Sequence, residues 1–446
     1  MNKSQVKSKQ TLTVTGGTPL YGSVRLGGAK NASYKLMIAT LLGDEKSRIL
    51  NLPDIADVRM VMKIINELGA KAYTVGEKTI FFDPKGLKSH QVPKKYGEVS
   101  RASTLFLAPF LAKFGRAEVP LPGGDKIGKR PLERHLEGLV KMGVKWTLEN
   151  STLKAQTKGL RGVSYRFAKN THTGTETLIM AAVLAKGKTV LENAAEEPEI
   201  DELINLLNKM GARIRRRSFR VIEIQGVKKL KGAIHRVMPD RNEAVSYAVA
   251  ALATKGDIVI ENARYNHLQS FLDKVDEAGG GVEIGDYGIR FFYKAPLRGT
   301  DIVTQIHPGF MTDWQPLWAI LMCTAKGKST IHETVMQNRF QYVGTLRKMG
   351  AKIDLFNPKI TDPEKIYNFN WQDRKKTDQH AIRITGPTKF KGGEFEIHDL
   401  RAGATTLLAA IVGSGKTVLH NVEQIDRGYE KIDQKLASMG AKIIRT

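Results

Sequence analysis

The sequence predicts an α/β protein built from six repeated units arranged as two domains. Three observations carry that expectation. A closing phrase recurs at Leu68-Gly-Ala-Lys71, Met142-Gly-Val-Lys145, Met210-Gly-Ala-Arg213, Ala278-Gly-Gly-Gly281, Met349-Gly-Ala-Lys352 and Met439-Gly-Ala-Lys442, and such self-similarity marks a repeat architecture. Strand-like and helix-like stretches alternate within each copy, which argues for layered α/β packing. The pattern is interrupted halfway, at Val237-Met-Pro-Asp-Arg-Asn242, between the third and fourth copies.

Taken in order, each unit opens with an Ala- and Leu-rich helix that ends at a Gly-containing turn. A short β-branched strand such as Thr189-Val-Leu-Glu192 follows, then an amphipathic helix that stops at glycine before another strand. Gly69, Gly143, Gly211, Gly350 and Gly440 read as the residues just past those helices, where a left-handed backbone is needed. With Pro239 as one crossing point and Gly27-Gly28 as a second, the chain reads as a discontinuous domain of 1–28 plus 239–446, with a domain of 29–238 inserted. Gly413-Ser-Gly-Lys-Thr417 looks like the end of a phosphate-binding P-loop. Its context is reversed, helix before and strand after, so it reads as the turn of the last repeat.

Composition narrows the classes. Seventy Lys plus Arg face 45 Asp plus Glu, a formal net charge of +25 that draws in anions of every kind. The longest strongly apolar run, Leu317 to Cys323, is far shorter than a membrane span, and Met1 to Gln10 has no apolar signal core. A cytoplasmic protein without membrane insertion is expected. The single cysteine, Cys323, lies among apolar neighbours and reads as a buried thiol. The histidines show no ligand spacing, so no metal is expected. The basic run Arg213 to Arg220 holds one aromatic, Phe219, and reads as a solvated strand or turn before it reads as a nucleic-acid patch.

Several polar clusters have no packing role. Pro120-Leu-Pro-Gly-Gly-Asp-Lys-Ile-Gly-Lys-Arg-Pro131 places three glycines around Asp125 and three cations, a composition suited to an anion. Gly27-Gly-Ala-Lys-Asn-Ala32 is a glycine turn opening onto a helix, where Lys30 and Asn31 meet a ligand at the helix start. Similar clusters lie around Arg101, across Lys169 to Glu176, at Asp240-Arg241, at Thr312-Asp313, at Arg339 and at Arg401.

Together these stretches resemble the enolpyruvyl transferases, and among them those that act on UDP-N-acetylglucosamine. The resemblance covers nearly the whole chain and rests on Gly28-Ala-Lys-Asn-Ala32, Pro122 to Pro131, Glu192 to Glu199, Thr312-Asp313, Glu333-Thr to Asn338-Arg-Phe340, Asp399-Leu-Arg401 and Ile425-Asp-Arg-Gly-Tyr-Glu430. It implies an inside-out α/β barrel fold with three repeats per domain, and an active site in the cleft between domains. It implies transfer of enolpyruvyl from phosphoenolpyruvate to the sugar 3′-hydroxyl with release of phosphate, the committed step of peptidoglycan precursor synthesis, with no cofactor. The two substrates are the only partners expected, on a monomer. By the same resemblance Lys30, Asn31, Arg130 and Arg401 clamp phosphoenolpyruvate, and Arg101 and Arg339 are further anion contacts. Asp313 stands beside the sugar hydroxyl as a base. Arg130, Pro131, Leu132, Glu133, Arg134, Lys169, Asn170, Thr171, His172, Asp313 and Val335 hold the nucleotide sugar. Asp125 takes the place of the cysteine usual in a mobile loop, here 120–131, and becomes the candidate general acid; insensitivity to fosfomycin, which alkylates that cysteine, follows.

Two departures touch the nucleotide segment: Thr173-Gly-Thr-Glu-Thr177 replaces the usual Gly-Ala-Thr-Glu-Asn, and Glu133 replaces an aspartate. The competing readings are the relative that takes shikimate 3-phosphate as acceptor, and a non-catalytic or nucleic-acid-binding protein on the same scaffold.

Overall fold

Six helices among the described residues carry small or apolar residues around nearly their whole circumference, and a helix of that kind is stable only when surrounded. They are Lys30–Ala39, Leu107–Phe114, His172–Ala182, Arg241–Ala253, Gln315–Thr324 and Leu400–Val412. Every residue of Arg241–Ala253 is buried, as is Gln315 through Cys323. Their hydroxyls are satisfied locally: Ser246, Thr175, Thr405 and Thr406 each donate to the carbonyl four residues back, so threonine is accommodated in an apolar interior.

The computed structural model describes residues 10–97, 101–121 and 132–446, with Arg101 in its backbone only. The chain forms two compact units. One is Gly27–Met238; the other joins the described residues up to Leu26 to Pro239–Thr446. Each has its own hydrophobic core around three of the buried helices.

Outside those helices lie sheets. In the third repeat, Lys188–Glu192 pairs antiparallel with Val221–Gln225, which pairs antiparallel with Arg213–Ser218. The fourth strand, Ser164–Arg166, comes from the preceding repeat and pairs parallel with Lys188–Glu192. Ile234–Arg236 is lent in the same way to Ser47–Leu50 of the first repeat, so the third repeat returns to the first. In the other unit Ile302–Val303 and Lys391–Glu396 are the lent strands of the fifth and sixth repeats. The chain start completes this unit. Tyr21–Arg25 pairs parallel with Asp257–Glu261, and Thr11–Thr15 lies between Ser414–His420 and Lys442–Arg445.

The mixed α/β class is as the sequence predicts, but each repeat has more strand than expected. The second half of each of the first five units contains a hairpin, whose place in the sixth is taken by Lys442–Arg445 paired with the chain start, and the lent edge strands escape periodicity because several are only two or three residues long. The fifth repeat departs further. Residues 357–380 open its hairpin and carry a small aromatic cluster in which Tyr367 and Trp371 stack at 4.7 Å beside buried His380.

The five glycines expected past the outer helices have φ between +95° and +106°. Gly350→Ala is expected to cost about 1–2 kcal/mol from the left-handed conformation, since a Cβ there would meet Lys389 O at an acceptable 3.4 Å. Gly69→Ala should cost more, because its Cβ would stand 2.3 Å from Gly86 O. Urea denaturation of the two variants checks the order.

Among the described residues no helix is long and apolar enough to cross a membrane. Cys323 is fully buried and its thiol is pushed up to about 12 by desolvation. The Arg213–Ser218 strand is largely exposed, yet Arg215 pairs with Glu223 and Arg216 with Glu196 and Asp201, which removes part of its positive field.

Candidate active site

Residues from six of the polar clusters fall at one recurring place, the start of a buried helix. Lys30 opens the first, Arg101 begins the 3₁₀ turn ahead of the second, and His172 opens the third. Arg241 opens the fourth, Asp313 stands two residues before the fifth, and Arg401 lies in the first turn of the sixth. Helix starts present unpaired N–H groups and positive dipole ends, so this is where a fold of this kind meets anions. Three are capped by their own side chains. Thr171 accepts from Gly174 N, Asp240 from Asn242 N and Glu243 N, and Asp399 from Arg401 N and Ala402 N.

In the unit containing Pro239–Thr446, three helix starts meet. Asp313 takes 2.6 Å from Arg339 Nη2 on one carboxylate oxygen and 3.1 Å from Arg401 Nη2 on the other. Both guanidiniums are nearly buried, while Asp313 keeps about a fifth of its side chain exposed. Burial works against the charge of Arg401, but Asp313, Tyr429 and Asp240 outweigh it and raise its pKa above the ordinary arginine value. Arg401 Nη1 also donates to Tyr429 Oη, which lies 2.8 Å from Ser246 Oγ. Trp314 Nε1 donates to Asn242 Oδ1 at 2.9 Å, and the Arg241 guanidinium lies over the Trp314 ring. The result is a fixed carboxylate held between two cations, with its backbone tied to the neighbouring helices.

Glu333 supports this region from below. It is buried and accepts from Thr304 Oγ1, Thr312 Oγ1, Val335 N and Met336 N at 2.8 to 2.9 Å. Desolvation raises its pKa, with the backbone of Met336 and the Thr312 hydroxyl pulling the other way. It therefore fixes both the turn before Asp313 and the Val335 segment. Glu333→Ala strips the acceptor from two backbone amides and should cost about 1–3 kcal/mol for each donor left buried and unpaired. Glu333→Gln keeps an acceptor and should lose far less. Denaturant midpoints of the two variants test the difference.

In Gly27–Met238, Lys30 pairs with Asp57 at 3.1 Å, and Asn31 is half-buried on the same turn. Arg134 Nη1 donates to Asn170 O at 3.3 Å, which ties the helix Glu133–Lys141 to the segment Lys169 to His172. Asn170 donates to Asn193 O and is buried, so its side chain shapes the segment from behind. Lys169, Thr171 and His172 are half-buried, as is Leu132; Glu133 is exposed. Asp125, Arg130 and Pro131 lie outside the described residues, as does the rest of 122–131, and Arg101 is placed by its backbone alone. A cavity of about 600 Å³ lies elsewhere on this unit, lined by Leu111, Leu160, Lys158, Lys186 and Lys228 among others, and touches none of the candidate residues.

Residues 14–436 match the family described as EPSP synthase (3-phosphoshikimate 1-carboxyvinyltransferase). The chain belongs to that family. It is 39% identical over 434 residues to UDP-N-acetylglucosamine 1-carboxyvinyltransferase of Desulforapulum autotrophicum, covering 97% of this chain and 99% of the relative. To the protein of the same name from Idiomarina loihiensis it is 39% identical over 433 residues, covering 97% and 98%. Among solved structures, the enolpyruvyl transferase NikO from Streptomyces tendae superposes with a TM-score of 0.83 at 22% identity, over 98% of this chain and 99% of that one. EPSP synthase from Acinetobacter baumannii gives 0.69 at 17% identity, over 98% and 100%. The fold is thus EPSP synthase-like.

Arg241, Glu333 and Tyr429 stand out in the geometry but not in the sequence as site residues. Arg241 and Tyr429 sit within stretches that already look polar for no packing reason. Glu333 begins a stretch on which the resemblance rests, but its supporting role carries no local signal, since its four partners come from three separate segments.

Proposed function

We propose that this enzyme transfers the enolpyruvyl group of phosphoenolpyruvate to the 3′-hydroxyl of UDP-N-acetylglucosamine, releasing phosphate. The observation that carries the choice of acceptor is the 39% identity over 97% of the chain to proteins named for that reaction. The geometry supports the chemistry. Adding an alcohol across an enol double bond needs a base at the hydroxyl, an acid at C3, and cations for phosphate and carboxylate.

Asp313 suits the base: its two oxygens are oriented by Arg339 and Arg401, and it is the more exposed member of that trio. Arg401, Arg339, Lys30 and Arg130 supply charge for the donor's anionic groups, and a guanidinium meets carboxylate or phosphate through two parallel bonds. Asp125 is the candidate acid. Lys169 to His172 with Arg134 form the candidate nucleotide segment.

Phosphate release from phosphoenolpyruvate decides the matter. Release is expected with UDP-N-acetylglucosamine and neither without an acceptor nor with shikimate 3-phosphate. Release that follows shikimate 3-phosphate would transfer the assignment to the other acceptor, and no release from folded protein would end the catalytic reading.

A further inference from the structure

Behind the nucleotide segment lies a charged cluster that the reaction itself does not require. Lys35, in the middle of the buried helix Lys30–Ala39, has its ammonium 2.7 Å from Glu176 Oε1, with 3% and 0% of the two side chains exposed. Glu176 Oε1 is also 3.1 Å from His172 Nε2, and Lys35 Nζ is 3.3 Å from the same nitrogen. Neither carboxylate oxygen of Glu176 makes a well-angled hydrogen bond, so its contact with Lys35 is ionic, and that with His172 becomes so when the ring is protonated. Burying a lysine and a glutamate costs several kcal/mol per ion before their attraction is counted, in a helix interior where apolar residues would serve.

The geometry determines what His172 can do. An ammonium has only donors, so a hydrogen bond from Lys35 requires Nε2 to accept, which places the proton of the neutral ring on Nδ1. When the ring takes a second proton, it goes to Nε2 and faces Glu176. Nδ1 carries hydrogen in both states. No partner among the described residues occupies Nδ1, and the side chain is 23% exposed.

We propose that Lys35 and Glu176 are positioning residues that lock His172 as a donor at Nδ1, aimed at an acceptor oxygen of the nucleotide. This rests on the reading of Lys169 to His172 as the nucleotide segment. Other charges face the cluster: Glu197 before the helix Pro198–Lys209 acts on His172, and Glu199 and Tyr34 act on Lys35. Burial and Lys35 lower the His172 pKa, but Glu176 and Glu197 outweigh them and it is raised. The cation, and with it the stronger hold on an anion, is present at low pH and is lost as pH rises through that raised value. The diphosphate diester of a nucleotide sugar does not titrate in this range, so any inflection belongs to the protein.

The test is ¹⁵N NMR of the His172 ring in the full chain, with affinity for UDP-N-acetylglucosamine by calorimetry across pH. In wild type the neutral ring should show a protonated Nδ1, and affinity should fall severalfold through the His172 titration. The double variant K35M/E176Q keeps shape without charge. It should shift the ring toward the Nε2–H form, bring its titration down toward the ordinary histidine value and weaken binding about tenfold, as about 1.4 kcal/mol would. H172Q should abolish the inflection. A neutral ring unprotonated at Nδ1 in wild type, or an unchanged tautomer and affinity in K35M/E176Q, overturns the proposal. Failure of wild type to bind the nucleotide sugar while Nδ1 stays protonated would instead refute the functional reading, and with it the ligand assigned to this donor.

Discussion

Asp313→Ala is expected to lower turnover by about 10²–10⁴-fold, the range that removal of a positioned general base produces. It should also destabilise the protein. Arg339 and Arg401 are 5% and 9% exposed and share this one carboxylate, and removing one partner of a buried ion pair costs about 3–5 kcal/mol because the remaining charge is left uncompensated. Turnover and stability therefore fall together in the alanine variant, and that alone would not reveal a chemical role.

Asp313→Asn separates the two. Its amide oxygen still accepts from one guanidinium, so the folded state should lose less, but an amide does not take the sugar proton. Turnover in Asp313→Asn should stay within about tenfold of Asp313→Ala while its melting temperature recovers most of the way to wild type. Wild-type turnover in Asp313→Asn would remove Asp313 from the chemistry and leave it as the counter-ion of Arg339 and Arg401. Arg401→Lys offers an independent check. A lysine restores charge but not the fork that reaches Asp313 and Tyr429 together, so it should behave as a loss rather than a conservative change.

How much of this was legible in the chain depends on the range of the signal. The repeat was legible because the turn after each outer helix needs a left-handed residue, and Gly69, Gly143, Gly211, Gly350 and Gly440 supply it in nearly identical words. The polar clusters were legible as clusters because charge at the head of an apolar helix has no packing explanation. That six of them head the buried helices was not, since it emerges only when the interior and exterior helices of each repeat are distinguished by burial. Short lent strands such as Ile302–Val303 exist because a neighbour in another repeat pairs with them, and nothing local encodes that. The contacts of Glu333 and the pairing of Lys35 with Glu176 were not legible for the same reason. Their partners are brought by the fold from segments far apart in the chain, and a lone lysine or glutamate in a helix ordinarily reads as solvated surface.

The second large effect concerns Asp125 and fosfomycin, the drug that reacts with the cysteine whose place Asp125 is expected to take. Fosfomycin is expected to leave this protein unmodified, whereas Asp125→Cys should gain a covalent adduct by intact-mass spectrometry. The drug's epoxide is opened by a thiolate, and a carboxylate at the same point in the loop offers no such nucleophile. The chain's only native thiol does not compensate. Cys323 is fully buried, and with its pKa pushed up to about 12 only about one molecule in 10⁵ is thiolate at neutral pH. An adduct on the wild-type chain would contradict both points at once. The same position is expected to govern turnover, with Asp125 as the proposed acid. Aspartate delivers a proton to C3 only while protonated, and Lys126, Lys129 and Arg130 nearby in the sequence favour its ionised form, whereas a bound phosphate dianion opposes them. Turnover of the wild type should therefore decline as pH rises through the pKa that Asp125 has in the loaded enzyme. Asp125→Asn should lose about 10²–10⁴-fold and with it that limb of the pH profile, and retention of both rate and profile in Asp125→Asn would place the acid elsewhere.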